Sequence, residues 1–198
     1  MSDCGKNLKT KPQGCFGAKN HDGTLQELIK AYIKYNRKNK NDELEQYSAC
    51  STIEETINKI GICRNIHGKV YSHQCRVGEA KMKEFADILK PYAQELNIAT
   101  TFQQIYDILR VPVKNTHQIG DLAHYDVALR ISAYCRCLPE EVFVQAGSEQ
   151  GAKTWGMNIK NGKVDLNQFP KILTEQLKPH EIEDFLCIYQ NDLENLKK

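Results

Sequence analysis

The chain has 198 residues, of which 40% are hydrophobic and 26% are charged. This composition is ordinary for a globular protein, and the length suffices for one full-sized core. The formal net charge of +2 excludes a strong overall basic field, so binding of nucleic acid would need a local basic patch. No apolar run approaches the roughly 20 residues that span a bilayer, and no signal peptide is recognisable, which predicts a cytoplasmic protein without a membrane partner.

Eight cysteines are many for a reducing compartment. Their spacing lacks the C-x2-C pairs of zinc sites, and the nearest approach to such a pair is Cys135 with Cys137. A loose metal cluster of Cys4, Cys15 and His21 is an alternative, but the spacing favours free thiols. We therefore expect no metal site and no cofactor.

The N-terminal part of the chain divides into an arm and the start of a helical region. Residues 1–23 lack periodicity and predict a flexible arm, whereas residues 24–198 predict a single helical domain. Thr24 is the predicted N-cap of the first helix, and the polar run at 36–42 is expected to break that helix as a solvated connection. Thr52, with a glutamate three residues later, matches a capping box that opens the next helix.

The rest of the chain also predicts helices, with Pro91 expected to kink or split one of them. Asn161 and Gly162 form a strong turn signal that predicts a small hairpin. The expected fold class is all-α, a compact multi-helix domain with at most one small β-hairpin. Apolar residues recur at helical spacing or follow helix-start signals in these segments: 77–96, 101–109, 122–137, 169–176 and 179–196.

Residues 101–136 predict a short amphipathic helix, a polar turn at 110–120 and a second amphipathic helix. In this geometry the backbone N–H groups of the turn and the N-terminus of the second helix point the same way, which suits a phosphate. Gly120 would allow a close approach of the ligand to the backbone. The side chains that supply donors around it are Lys114, Asn115, Thr116, His117 and Gln118.

This segment resembles the helix–hairpin–helix motif of DNA-repair proteins, including the base-excision glycosylases. Ile119 and Gly120 match the apolar residue and second glycine of that motif. Residues 138–145 are similar to the glycosylase stretch in which a proline leads through a short apolar run to the catalytic aspartate. The resemblance covers residues 101–155 and implies a DNA-binding protein that contacts backbone phosphates.

Three positions depart from the glycosylase pattern. Gln118 stands at the first glycine of the motif, Leu122 at the Schiff-base lysine of the bifunctional enzymes, and Gln145 at the catalytic aspartate. Because an amide cannot act as a carboxylate base, the resemblance implies DNA binding without the standard glycosylase chemistry. The whole chain also resembles an uncharacterised bacterial protein family, which implies no particular activity.

An enzyme of unassigned reaction is the alternative function. Just before a helix, His73 is a candidate acid–base group and Arg76 a candidate anion clamp. Asp126 and Arg130 are four residues apart, which fits an exposed intrahelical ion pair as well as a grip by Arg130 on a phosphate. The candidate catalytic residues are His73, Asp126 and Gln145, and the pocket would add Arg76 and Arg130.

A second alternative is a non-catalytic interaction module, in which the turn is only a tight connection between helices. Gly147 and Gly151 fit close helix packing as well as the approach of a nucleotide. The acidic residues Glu181, Glu183 and Asp184 are explained by the dipole of the last helix.

Overall fold

The computed structural model describes residues 23–71, 74–75, 77–117 and 119–197, so that almost all of the predicted N-terminal arm lies outside the described residues. Helices dominate the described chain, which confirms the all-α prediction. Within these residues, no helix combines the length and the apolar character needed to cross a membrane. The helices are α1 (Leu25–Tyr35), α2 (Arg37–Ser48), α3 (Ile53–Ile62), α4 (Glu79–Leu89), α5 (Ala93–Ile98), α6 (Phe102–Asn115), α7 (Asp121–Cys135), α8 (Ala146–Thr154), α9 (Lys171–Thr174) and α10 (Pro179–Ile188).

Two helix starts follow directly from the sequence. Thr24 caps α1, and the Glu27 carboxylate accepts a hydrogen bond from the Thr24 N–H at 2.7 Å, which completes a capping box. Thr52 caps α3 as predicted, but Glu55 reaches one residue further back and accepts from the N–H of Ser51. Both bonds satisfy donors that a helix N-terminus leaves unpaired.

The predicted hairpin forms around Asn161 and Gly162, whose φ angles of 52° and 72° suit the turn that joins two antiparallel strands. It consists of β2 (Ile159–Lys160) and β3 (Lys163–Val164), and a further strand, β1 (Val142–Phe143), pairs antiparallel with the free edge of β3. The strand order is therefore β1-β3-β2. The sequence did not predict β1, because two residues are too few to show an alternating pattern.

The first helix ends at Tyr35, where the polar run begins, as predicted, but the expected solvated connection over 36–42 is wrong. Only Asn36 separates α1 from α2, and Arg37 already begins α2. The polar run stays helical because the later residues Leu44 and Tyr47 of the same helix are buried in the core. The expected split at Pro91 is confirmed, since a 3-10 helix at Lys90–Tyr92 separates α4 from α5.

The predicted turn at 110–120 is wrong in its first half, because α6 continues to Asn115. A proline inside a helix removes one backbone hydrogen bond, but Pro112 is buried, and its packing offsets part of that loss. The hydroxyl of Thr116 then donates to the carbonyl oxygen of Pro112 at 2.7 Å and closes the helix. The connection between α6 and α7 is correspondingly short.

The buried apolar side chains form two clusters. The first cluster is built mainly from α2 to α7, and the second cluster from α1, α8, α10 and the segments around the hairpin. The single tryptophan, Trp155, is half-buried against the second cluster, with its ring centroid 6.0 Å from that of Phe169. The last two predicted helices are shorter than expected, since α10 ends at Ile188 and a 3-10 helix at Asp192–Lys197 follows.

Candidate functional site

The hairpin between α6 and α7 holds most of the predicted phosphate-binding residues. Lys114, Asn115 and His117 are exposed there, and Gln118 lies outside the described residues. Thr116, by contrast, is buried, and its hydroxyl is occupied by the end of α6. Among the described residues, the hairpin therefore exposes Lys114, Asn115 and His117 as predicted donors, and Thr116 is not available.

Gly120 is the N-cap of α7, but its conformation does not require glycine. Its φ of −102° and ψ of −177° are extended, and nothing lies within 4 Å of the position that a Cβ would occupy. Asp121 follows it in the first turn, so a phosphate bound there would meet a carboxylate. Arg130, nine residues later, lies about 14 Å further along the helix and is not part of the hairpin.

A cleft of about 470 Å³ opens elsewhere, between α2, residues 65–71, α7 and α10. Asp126 and Arg130 line it, as the enzyme alternative predicted. Tyr71 and Cys75 line it as well, whereas His73 and Arg76 lie outside the described residues. The charged side chains of its described lining are Lys40, Asp42, Glu43, Lys69, Asp126, Arg130 and Asp184.

Arg130 is almost completely buried, with 1% of its surface exposed. Its Nε and Nη2 both donate to Oε1 of Glu43 on α2, at 2.8 Å and 2.7 Å. The ring of Tyr71 lies 4.2 Å from the guanidinium carbon, and that of Tyr47 lies 5.6 Å away. Asp126 is also buried, so the prediction of an exposed intrahelical ion pair is wrong.

The electrostatics keep Arg130 charged despite its burial. Burial alone would lower the pKa of Arg130, but Glu43 and the neighbouring acidic groups raise it further than burial lowers it. Lys40 follows the same logic: burial lowers its pKa, and the carboxyl groups of Glu43, Asp184, Glu183 and Asp126 raise it above the usual value. The acidic residues around the cleft therefore keep both Arg130 and Lys40 positively charged.

Several buried polar atoms of Arg130, of its neighbours Tyr47 and Tyr71, and of Gln74 lack a hydrogen bond within the described chain. They are Nη1 of Arg130, the hydroxyls of Tyr47 and Tyr71, and both polar atoms of the Gln74 amide. The two hydroxyls lie within reach of each other, and the contact lowers the pKa of Tyr47 and raises that of Tyr71, but its geometry is too poor for a normal hydrogen bond. Unpaired polar groups of this kind are rare in folded proteins and cost folding free energy.

Gln145 does not line the cleft, but it contacts the acidic residues behind it. Its Nε2 donates to Oε1 of Glu183 on α10 at 2.8 Å. Burial raises the pKa of Glu183 to about 8, a shift that Lys40 opposes and Asp184 reinforces. Asp184 itself accepts a hydrogen bond from the Tyr32 hydroxyl at 3.1 Å. The dipole of α10 therefore accounts only in part for its acidic residues.

The sequence reasoning missed Lys40 and Glu43, because the polar run was taken for a connection. A usable signal existed. Leu44 and Tyr47 follow Lys40 by four and seven residues, which places all three on one face of a helix. A cation on the face that carries Tyr47 predicts a charge next to the core, where it needs an acidic partner.

The described residues contain no group of three histidine, cysteine, aspartate or glutamate side chains arranged to hold a metal ion. Among the described cysteines, Cys50, Cys63, Cys135 and Cys137 are free thiols. The alternative metal cluster of Cys4, Cys15 and His21 lies outside the described residues.

Comparison of the chain with protein-family models, curated proteins and solved structures finds no match. The resemblance to helix–hairpin–helix DNA-repair proteins stays a prediction.

Proposed function

We propose that the chain is an enzyme that binds a small polar molecule in the cleft between α2, α7 and α10. The observation that carries this proposal is the convergence of seven charged side chains from three helices and residues 65–71 on one cleft. Two of them, Asp126 and Arg130, are buried, and because taking charged groups out of water costs free energy, their burial at a cleft supports a role beyond stability. A concave site with buried ionisable groups is typical of active sites.

Within this proposal, Asp126 is the candidate proton acceptor, because it is a buried carboxyl at the wall of the cleft. Lys40 and Arg130 would stabilise negative charge on the bound molecule, since both stay cationic. The chemistry that these residues support is proton transfer to or from a polar substrate.

The experiment is a thermal-shift screen of the full chain against organic acids, amino acids, sugar phosphates and nucleotides. A ligand at about ten times its Kd adds about 1.4 kcal/mol to the stability and raises Tm by roughly 3–5 °C. We expect such a compound to stabilise the wild type and the control Asp121→Asn, which alters an exposed carboxylate of the same helix, but not Asp126→Asn. A screen without such a compound, or one that stabilises all three chains equally, would contradict the proposal.

DNA binding at the hairpin is the second candidate. The observation in its favour is that Lys114 and His117 are exposed there and that α7 starts without a side-chain cap. Phosphate contacts predict duplex binding at low salt that weakens steeply as salt rises, and a loss of affinity in Lys114→Glu. Lys83→Glu, an exposed lysine on α4, is the matched control. Absence of duplex binding at low salt would end this candidate.

A further inference from the structure

We propose that Arg130, Tyr71 and Tyr47 form a subsite that receives a carbonyl or carboxylate oxygen of the ligand. This inference rests on the proposed function and specifies the chemical group that the cleft recognises. It starts from polar atoms that the fold buries without giving them a partner.

Arg130 determines the polarity of the subsite. Its Nε and Nη2 are taken up by Glu43, and Nη1 has no partner among the described residues. A guanidinium nitrogen can only donate, so the group that satisfies Nη1 must carry an acceptor. Because Arg130 lines the cleft, we assign that acceptor to a molecule bound in the cleft.

The two tyrosines add donors at the same place. The Tyr71 ring lies 4.2 Å from the guanidinium carbon of Arg130 and lines the cleft, and Tyr47 packs near the same guanidinium. Their hydroxyls are buried next to each other, and neither forms a hydrogen bond of good geometry with any described residue. Burial raises the pKa of both phenols, so both keep their protons and can donate. Donors on side chains that pack against one guanidinium suit an oxygen acceptor with two lone pairs.

The charge around the subsite selects among oxygen groups. Glu43 already neutralises Arg130, and the described lining of the cleft carries three cationic and four acidic side chains. A phosphate dianion would meet Asp126 and Glu43 nearby without a cation in excess. A neutral carbonyl avoids that repulsion, a singly charged carboxylate meets about half of it, and both accept the available hydrogen bonds.

The test uses sodium acetate and acetamide as probes, each titrated into the isotope-labelled full chain while NMR follows the Nε–H signal of Arg130. Sodium chloride at matched ionic strength corrects for screening. We expect acetate, acetamide or both to shift this signal. Tyr71→Phe should lower the affinity of the protein for the probe that binds by roughly tenfold, which corresponds to the loss of about one hydrogen bond. Tyr134→Phe is the control, because its hydroxyl donates to Asn97 and is not part of the cleft lining.

A response to acetate alone would identify a carboxylate ligand, and a response to acetamide a neutral carbonyl; both support the subsite. Tyr71→Phe should also raise Tm of the free chain, because it deletes a buried hydroxyl that lacks a hydrogen bond of good geometry and keeps the ring on Arg130. The proposal is wrong if neither probe shifts the signal beyond chloride, which would leave an internal water as the acceptor. It is also wrong if Tyr71→Phe leaves probe affinity unchanged. A screened compound that needs Asp126 but not Tyr71 would overturn the subsite and leave the proposed function intact.

Discussion

Glu183 and His180, two residues of the same helix, respond to burial in opposite directions. Burial raises the pKa of Glu183 to about 8, so at neutral pH the carboxyl is mostly protonated and accepts a hydrogen bond from Gln145. Burial, together with the nearby charge of Lys40, lowers the pKa of His180 to about 3, so the imidazole is neutral. At the scale of the residue, the fold thus keeps two ionisable groups uncharged next to a highly charged cleft.

The shift at Glu183 predicts a pH-dependent stability. Because the pKa of Glu183 is higher in the folded state than the unfolded value of 4.5, its protonated carboxyl contributes fully to the free energy of unfolding below pH 4.5. This contribution is lost as the pH rises through about 8, where the buried carboxyl ionises. The loss is on the order of 3–5 kcal/mol. Glu183→Gln keeps the neutral shape and removes the titration, so the variant should gain free energy of unfolding relative to the wild type across this range.

Urea unfolding at a series of pH values measures this difference. His180 destabilises the folded state as pH falls from 6.5 towards about 3, but this effect is common to both proteins and cancels in the comparison. The control Glu175→Gln changes an exposed residue, so its free energy of unfolding should follow the same pH dependence as that of the wild type. A constant difference between Glu183→Gln and the wild type over the whole pH range would contradict a raised pKa.

At the scale of the element, the close contact of α8 with α10 determines where Glu183 finds its partner. Gly147 and Gly151 lie on the side of α8 that faces α10, and a Cβ at Gly151 would stand 2.1 Å from the carbonyl oxygen of Leu186. This approach allows Gln145, at the start of α8, to reach Glu183. The small-residue spacing therefore serves helix packing, one of the two interpretations that the sequence allowed.

Gly151→Ala should destabilise the fold, although alanine normally favours a helix by about 1 kcal/mol over glycine. The added methyl group meets backbone rather than a flexible side chain, so the helices must separate at a cost of about 3 kcal/mol. Thermal or urea unfolding gives this value directly. Gly120→Ala, where the Cβ meets open space, should lose at most about 1 kcal/mol as an N-cap change. Equal losses in the two variants would refute the packing argument.

The local features of the fold could be predicted from the sequence. The cap at Thr24 and the turn at Asn161 depend on hydrogen bonds and φ angles within a few residues, so the local sequence suffices. The polar run at 36–42 and the helix through Pro112 could not be predicted, because packing against distant parts of the chain outweighs the local preference for a break.

The candidate site was predictable only where its residues share one helix. Asp126 and Arg130 were identified from their spacing, but their partner Glu43 lies 87 residues before Arg130. No pattern within one helix reveals a contact between α2 and α7. The hydrogen bond from Gln145 to Glu183 was missed for the same reason, since these residues are 38 positions apart.

At the scale of the whole molecule, β1 connects the two apolar clusters. Successive side chains of a strand point to opposite faces; accordingly, Val142 belongs to the second cluster and Phe143 to the first. An ion pair of 2.6 Å between Arg37 on α2 and Glu181 on α10 adds a second connection. Neither cluster can open without exposing part of the other, which favours a single cooperative unit.

Cooperative unfolding can be tested with two probes of different reach. Fluorescence of Trp155 reports on the second cluster, and far-UV circular dichroism reports on the helices around both clusters. We expect the two urea transitions to coincide in midpoint and slope. Phe143→Ala should lower both midpoints together, through a loss of about 3–5 kcal/mol.

A tryptophan placed at the first cluster tests whether the Trp155 signal reports only a local change. In Trp155→Phe combined with Tyr92→Trp, the fluorophore sits against the first cluster, because Tyr92 packs there. Its transition should again coincide with that of circular dichroism. If the two fluorophores report different midpoints, the clusters unfold separately, and residues 24–198 are two folding units rather than the single helical domain that the sequence predicted. Coincidence in the wild type with separation in Phe143→Ala would identify β1 as the element that couples them.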